Sequence, residues 1–310
     1  MEKIISIQYL RAAAAIAVVG AHTFWGFGAE GVDLFFVISG FIMFYIIGNT
    51  PKKSAISFFL DRYFRIAPMY YLATAVIVLL GFVQISSFHQ VVQVITFLKY
   101  YETAPLLSIG WTLEYEFIFY SLCAIAILVF KDFRLRLWFV IAVLISAVIL
   151  IDFYVFSDKK YGHFAEFLFG IFIYLLYKKK LIPSDNLLLG LIGFFTSIGM
   201  FLISQMFYSD GFTYLRFIGF GIPSALLLTS ILCMRRRIGN YYSIEYLGNA
   251  SYSIYITHTI TLYSYYSLTG YTRGENLFSD VISFGLAICV GCIMHSFLEK
   301  PIAKTIRQIR

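Results

Sequence analysis

The sequence predicts an all-α, polytopic membrane protein of about ten transmembrane helices with both termini in the cytoplasm, and three observations lead there. First, 60% of the 310 residues are hydrophobic and only 13% are charged, against about 45–50% and about 25% in soluble domains. Second, apolar windows recur along the chain at lengths suited to a bilayer. Third, the lysines and arginines collect between alternate windows. A soluble fold of this length needs a largely polar skin, which this composition does not supply. Soluble enzymes, disordered chains and disulfide scaffolds are therefore set aside. With 33 Phe and 24 Tyr, the chain is also too aromatic for a simple aliphatic lipid anchor. The bilayer is its main partner.

The windows are 5–24, 32–48, 66–84, 108–130, 137–155, 163–177, 187–207, 216–234, 246–268 and 280–298. A helical span takes about 20 residues, and only 163–177 is clearly short. None shows the strict alternation of a barrel strand, and backbone groups in lipid must be satisfied within the segment, so each reads as a helix. The first window holds Arg11 within its apolar run and leads straight into the second, so it reads as a retained span rather than a cleaved signal.

With the N-terminus inside, eighteen of the 24 Lys and Arg residues fall on the inside, chiefly around 52–65, 131–136, 178–180, 235–237 and 300–310. Five (Lys99, Lys159, Lys160, Arg216, Arg273) fall outside, and such a bias fixes orientation. The net charge of +7 then needs no nucleic-acid partner. Residues 1–310 read as one membrane domain with no appended soluble domain. The stretch 85–107 reads as the longest outer loop. Cys123, Cys233, Cys289 and Cys292 all lie in windows and read as small core filler, and the Cys289-x-x-Cys292 spacing alone is a weak metal signal. No metal is expected.

Ionisable groups at membrane depth are costly and mark function or structural pairing. Arg11 and His22 are eleven residues apart, which places them on one helical face. That face either lines a polar path or carries an arginine that snorkels inward and a histidine at the outer interface. In the segment 108–120, Thr112 and Glu116 share a face while Glu114 points away and could lie exposed. Glu116 either pairs with a cation such as His22 or merely locks helices together. Arg62 and Arg65, three apart at the cytoplasmic edge, suit phosphate oxygens bidentately, or serve as ordinary anchoring charge. Tyr255 and His258 align at i,i+3 near mid-membrane. Asp33 caps the second span or contacts substrate, and Glu166 pairs with His163 or takes part in chemistry. Ser39 and Gly40 permit close helix contact. His89 and His295 stand in no constellation, and Glu299 with Pro301 fixes the exit of the last helix.

Taken in order, Arg11-x10-His22, Gly31-Val-Asp-Leu-Phe-Phe-Val-Ile-Ser-Gly-Phe41, Arg62-x-x-Arg65, Trp111-Thr-x-x-x-Glu116, Glu166-Phe-Leu-Phe-Gly170, Tyr252-Ser-x-Tyr255-x-x-His258 and Glu299-Lys-Pro301 resemble the type 3 acyltransferase family over nearly the whole chain, and in tone those members that decorate bacterial exopolysaccharides. The resemblance implies a ten-helix bacterial inner-membrane enzyme that passes an acyl group, usually acetyl, from acyl-CoA (acetyl-CoA) to a hydroxyl of a polysaccharide or lipid-linked sugar. It makes His22 the central catalytic residue, as general base or transient acyl acceptor, with Glu116 and Arg11 beside it in the catalytic set. Arg62 and Arg65 would take the CoA phosphates. Trp111, Tyr255, His258, Asp33 and Glu166 would line the substrate site. A transporter for a lipid-linked sugar shares the composition but would show paired broken helices in matching halves, which this sequence lacks. A catalytically silent membrane sensor is the third reading.

Overall fold

The computed structural model describes residues 4–24, 28–98, 104–150, 162–208 and 216–309. All secondary structure among these residues is helical. The helices are α1 (Ile5–Thr23), α2 (Gly31–Asn49), α3 (Ala55–Leu79), α4 (Phe88–Thr96), α5 (Trp111–Val129), α6 (Phe133–Ala147), α7 (His163–Lys178), α8 (Leu187–Tyr208), α9 (Ile222–Cys233), α10 (Tyr242–Thr269), α11 (Leu277–Met294) and α12 (Lys300–Ile309). Their starts follow capping chemistry. Asp132 accepts from the amides of Arg134 and Leu135 at 2.7 and 3.2 Å to open α6, and Asn276 accepts from Phe278 at 2.9 Å to open α11, so otherwise orphaned N–H groups are satisfied.

Among the described residues, six stretches are long and apolar enough to cross a membrane: Ile5–Thr23, Gly31–Asn49, Ser108–Val129, Phe133–Leu150, Leu187–Phe207 and Leu277–Ile306. The window at 66–84 is helical as far as Leu79, and those at 163–177, 216–234 and 246–268 are helical too. However, α7 has 16 residues, Phe217–Cys233 is a shorter apolar helix, and α3 and α10 dilute their apolar residues with charges and hydroxyls. The end of window 137–155, with Lys99, Lys159, Lys160 and Arg310, lies outside the described residues. The expected outer loop 85–107 holds a helix, α4, which Ser87 caps through the Gln90 amide and which ends where Phe97 turns left-handed at φ 56°. Of the four cysteines, Cys123 and Cys233 are buried as expected, but Cys289 is exposed and Cys292 half-buried. The filler reading therefore fails at Cys289.

Packing divides the chain into two compact units. One comprises Met1–Ala14, Glu30–Ala55 and Leu122–Gly248; the other comprises Ala15–Ala29, Ile56–Ser121 and Asn249–Arg310. In the first, α2 is the interior helix: 78% of its window is buried, against 11% for Leu187–Phe207. On α8, Leu188, Ile192, Phe195 and Ile203 are exposed, the apolar surface a helix offers to lipid. α2 meets α7 through glycine. A Cβ on Gly40 would lie 2.2 Å from the Phe167 carbonyl oxygen, and one on Gly170 would lie 2.1 Å from that of Val37. Small residues permit such close approach in membranes, and Gly40 realises the contact read from the sequence. Around the crossing, Phe36 packs on Phe167 with ring centroids 5.1 Å apart and Phe44 on Tyr174 at 6.4 Å.

The second unit repeats the device. A Cβ on Gly291 of α11 would stand 2.5 Å from the Ile254 Cα of α10. Phe97, placed by its left-handed turn, stacks on Phe117 of α5 at 3.7 Å between centroids.

Because its neighbours at the crossing are backbone atoms, Gly170→Val must push α2 from α7. Overpacking of this kind costs about 1–3 kcal/mol or more. The thermal midpoint of the purified protein in detergent should drop and the folded yield should fall. Gly199→Val, where an added Cβ meets nothing within 4 Å, should leave both unchanged.

Candidate active site

The last turn of α1 carries His22, and α10 carries Tyr255 and His258 one turn apart. Within the second unit these two helices bring the rings of His22 and His258 to 4.9 Å between centroids, inclined at 57°. His22 is exposed, whereas His258 is fully buried. The His258 Nδ1 lies 2.5 Å from the Tyr255 carbonyl oxygen. A carbonyl only accepts, so Nδ1 is the donor, and in the neutral ring Nε2 carries the lone pair. That Nε2 is buried and has no hydrogen-bond partner. An accessible imidazole thus stands against a buried one whose accepting nitrogen is unengaged.

Arg273 closes the end of α1. Its Nη2 donates to the Ala21 carbonyl at 2.6 Å, satisfying one of the carbonyls a helix end leaves over, and its charge lies within electrostatic reach of His22. Sequence reasoning counted Arg273 only as an outer-loop cation. A lone arginine after a span that carries the candidate histidine was the available signal.

The opening of α5 completes the neighbourhood. The Tyr255 hydroxyl lies 2.8 Å from Thr112 Oγ1, and both hydroxyls reach the Ile109 carbonyl, at 3.2 and 3.0 Å. Trp111, beside Thr112, packs edge-on against Tyr115 at 6.2 Å. Glu116 accepts from the Tyr120 phenol at 2.8 Å, and its charge is felt by Arg62, Tyr252 and Tyr255. Glu116 therefore lies within electrostatic reach of both the α10 hydroxyls and Arg62. Its neighbours include Tyr120 and Arg62, and the ring of His258 stands beside that of His22. Arg62 lies within reach of Arg65, and its Nη1 is buried without a hydrogen-bond partner, unlike a simple surface anchor. Glu114, read as free to lie exposed, is buried and accepts from Gln93 Nε2 at 2.5 Å.

The remaining candidates belong to the first unit. Arg11, half-buried on α1, donates to Gln8 Oε1 at 3.3 Å. In the first unit Asp33 and Glu166 belong to a second buried cluster. Arg216 grips Asp33 with two parallel bonds, Nε to Oδ1 at 2.9 Å and Nη2 to Oδ2 at 2.6 Å, the planar fork that suits a carboxylate. His163 Nδ1 lies 3.2 Å from Glu166 Oε2, both side chains fully buried. Asp33 is not the cap of α2; Glu30 holds that position, and the Asp33 carboxylate serves Arg216 instead. Donor atoms of Asp33, His163 and Glu166 fall within 4.8 Å of one another, and the Arg216 guanidinium supplies positive charge there. The pairing of His163 with Glu166 was legible at i,i+3; the arginine was not.

A third group corrects the reading of α11 and its continuation. His295 Nδ1 lies 2.7 Å from Glu299 Oε2, which also accepts from the Ser253 hydroxyl at 2.6 Å. Glu299 thus ties the start of α12's lead-in to α10, and His295 does stand in a constellation.

Removing one partner of a buried ion pair leaves an uncompensated charge and costs about 3–5 kcal/mol, whereas an apolar pair of similar volume is often neutral. Arg216→Met should therefore lower the unfolding midpoint in detergent markedly. The double variant Asp33→Leu with Arg216→Met should recover most of that loss.

With this geometry in place, comparison with known proteins is specific. The chain is 30% identical over 306 residues, covering 89% of this chain and 90% of the relative, to the exopolysaccharide production protein ExoZ of Rhizobium meliloti (strain 1021). No solved structure matches. The acyltransferase domain model of the type 3 family matches residues 4–296, so the chain is a member of that family and a multi-pass membrane acyltransferase.

Proposed function

We propose that the protein is an O-acyltransferase of the bacterial inner membrane, moving an acyl group, acetyl in the simplest case, from cytoplasmic acyl-CoA to a sugar hydroxyl of an exopolysaccharide or its lipid-linked precursor. In this reading residues 1–310 act as one membrane domain of ten spans with both termini inside. The observation that carries it is the His22–His258 pair: an accessible imidazole backed by a buried, unengaged acceptor, within a chain of this family.

The chemistry follows from that pair. The acceptor hydroxyl approaches His22, which takes its proton as the oxygen attacks the thioester carbonyl. The neighbouring His258 lone pair offsets the positive charge that develops on His22. The C–S bond then breaks, the proton passes from His22 to the leaving thiolate, and the products are a sugar ester and free CoA. Tyr255, held by Thr112 and the Ile109 carbonyl, presents a hydroxyl dipole one helical turn from His258, and with Trp111 it lines the acceptor side. Donors fixed before reaction are worth more than donors that must reorganise.

Arg62 and Arg65 bind the donor's phosphates, and Glu116 sets the position of Arg62. Arg11 serves the inner part of the donor path. Asp33 and Glu166, engaged by Arg216 and His163 within the first unit, are the further residues this reading assigns to the substrate. The likeness to a protein of exopolysaccharide production supports the acceptor class.

General acid–base groups contribute roughly 10²–10⁴-fold. His22→Ala should therefore lower transfer of labelled acetyl from acetyl-CoA in membrane vesicles by about that factor, and the surface polysaccharide of cells carrying the variant should lack one acyl unit per modified sugar by mass. Undiminished transfer by the variant would overturn the assignment.

A further inference from the structure

A cavity of about 260 Å³ opens in the first unit between the start of α1, the end of α7 and the segment after α9. Its lining includes Ser6, Tyr177, Arg235, Arg236 and Asn240, and none of the described lining residues is acidic. Arginine triplets after a span are ordinarily positive-inside anchors, but the three here are used differently. Arg237 pairs with Asp185. The Arg236 amide donates to the Ser184 carbonyl at 3.1 Å, which fixes its backbone where the residue lines the cavity. The Arg235 guanidinium lies over the Tyr177 ring, 4.7 Å from its centroid. Stacking uses the face of a guanidinium and leaves its N–H donors, which lie in the plane, available to oxygen.

A further observation points to a ligand. Ser6, 4% exposed, lines the same cavity, and its hydroxyl is buried with no hydrogen-bond partner. A buried hydroxyl without a partner costs free energy that a bound acceptor would recover. Arg235, Arg236, Ser6 and Asn240 make the lining rich in donors, and among the described residues no carboxylate lines it to compete for them. The volume falls just below the ~300–1,000 Å³ of sites for drug-sized ligands, so the cavity suits a headgroup and not a whole nucleotide.

We infer that this cavity is a binding site for a phosphoryl group, a phosphomonoester or diphosphate, held by Arg235 and Arg236 with Ser6 and Asn240. The group could be carried by the nucleotide part of the acyl donor or by an anionic lipid. The proposal does not depend on the reaction assigned above.

The test is equilibrium binding of inorganic pyrophosphate to the full-length protein in phosphatidylcholine nanodiscs, compared among wild type, Arg236→Gln, Arg235→Gln with Arg236→Gln, and Asn240→Asp. The last places a carboxylate in the wall without disturbing the Arg235–Tyr177 stack. Wild type should bind, and each variant should raise Kd tenfold or more while keeping the wild-type unfolding midpoint. Competition by CoA would assign the site to the donor; loss of pyrophosphate binding when phosphatidylglycerol replaces phosphatidylcholine would assign it to lipid. Equal affinity in wild type and Asn240→Asp, or no binding by wild type, would overturn the proposal. His22→Ala should bind pyrophosphate normally, which keeps this result distinct from any failure of the catalytic assignment.

Discussion

Hydrocarbon offers a polar group no partner, and that constraint shapes this protein from backbone to site. It requires the spanning segments to be helices and every buried side-chain donor or acceptor to find its complement within the protein. Most do. Asp33 takes the Arg216 fork, Glu114 takes the Gln93 amide, and Glu299 takes both His295 and Ser253. Such satisfied clusters act as fasteners between helices. His258 Nε2, Arg62 Nη1 and Ser6 Oγ are buried and unengaged, and each lies where a ligand or a reacting group is proposed. The hydroxyls of Ser224, Ser251 and Thr259 are also buried without a partner and belong to no proposed site, so an unsatisfied atom marks candidate function only where other groups of a site surround it.

Packing makes those placements rigid. At Gly40 and Gly170 the α2 and α7 backbones approach so closely that no Cβ fits, and at Gly291 the same is true of α11 against α10. The second contact bears on the site, because α10 carries Tyr255 and His258 and any tilt of that helix would move the His258 ring relative to His22. Aromatic side chains then fill what the glycines leave open, as Phe97 does against Phe117. The high aromatic content noted in the sequence is interior packing as much as lipid contact.

Much of this was legible before the fold was known. Apolar windows located the helices because lipid imposes length and composition directly, and i,i+3 spacing placed Tyr255 with His258 and His163 with Glu166. Long-range pairing was not legible: Asp33 and Arg216 are 183 positions apart, and no local periodicity joins α1 to α10. Counting Arg216 and Arg273 as loop cations treated charge as a topological marker and hid the contacts they make. The helix α4 is only 9 residues long, too short to stand out among polar neighbours. α7 falls short of a span by length, at 16 residues, while α10 dilutes its apolar residues with the hydroxyls and charges that serve the site. Glu299 and His295, by contrast, sit at i,i+4, a local signal that was available.

The central claim is that His22 and His258 act as a unit, the first moving the proton and the second stabilising the charge this creates. A double-mutant cycle on kcat/KM for acyl transfer tests it most directly, using His22→Ala, His258→Gln and their combination in protein of verified folded yield. Residues that act together are strongly non-additive. The account predicts that the double variant is no slower than His22→Ala alone. Losses that multiply across the cycle would contradict it.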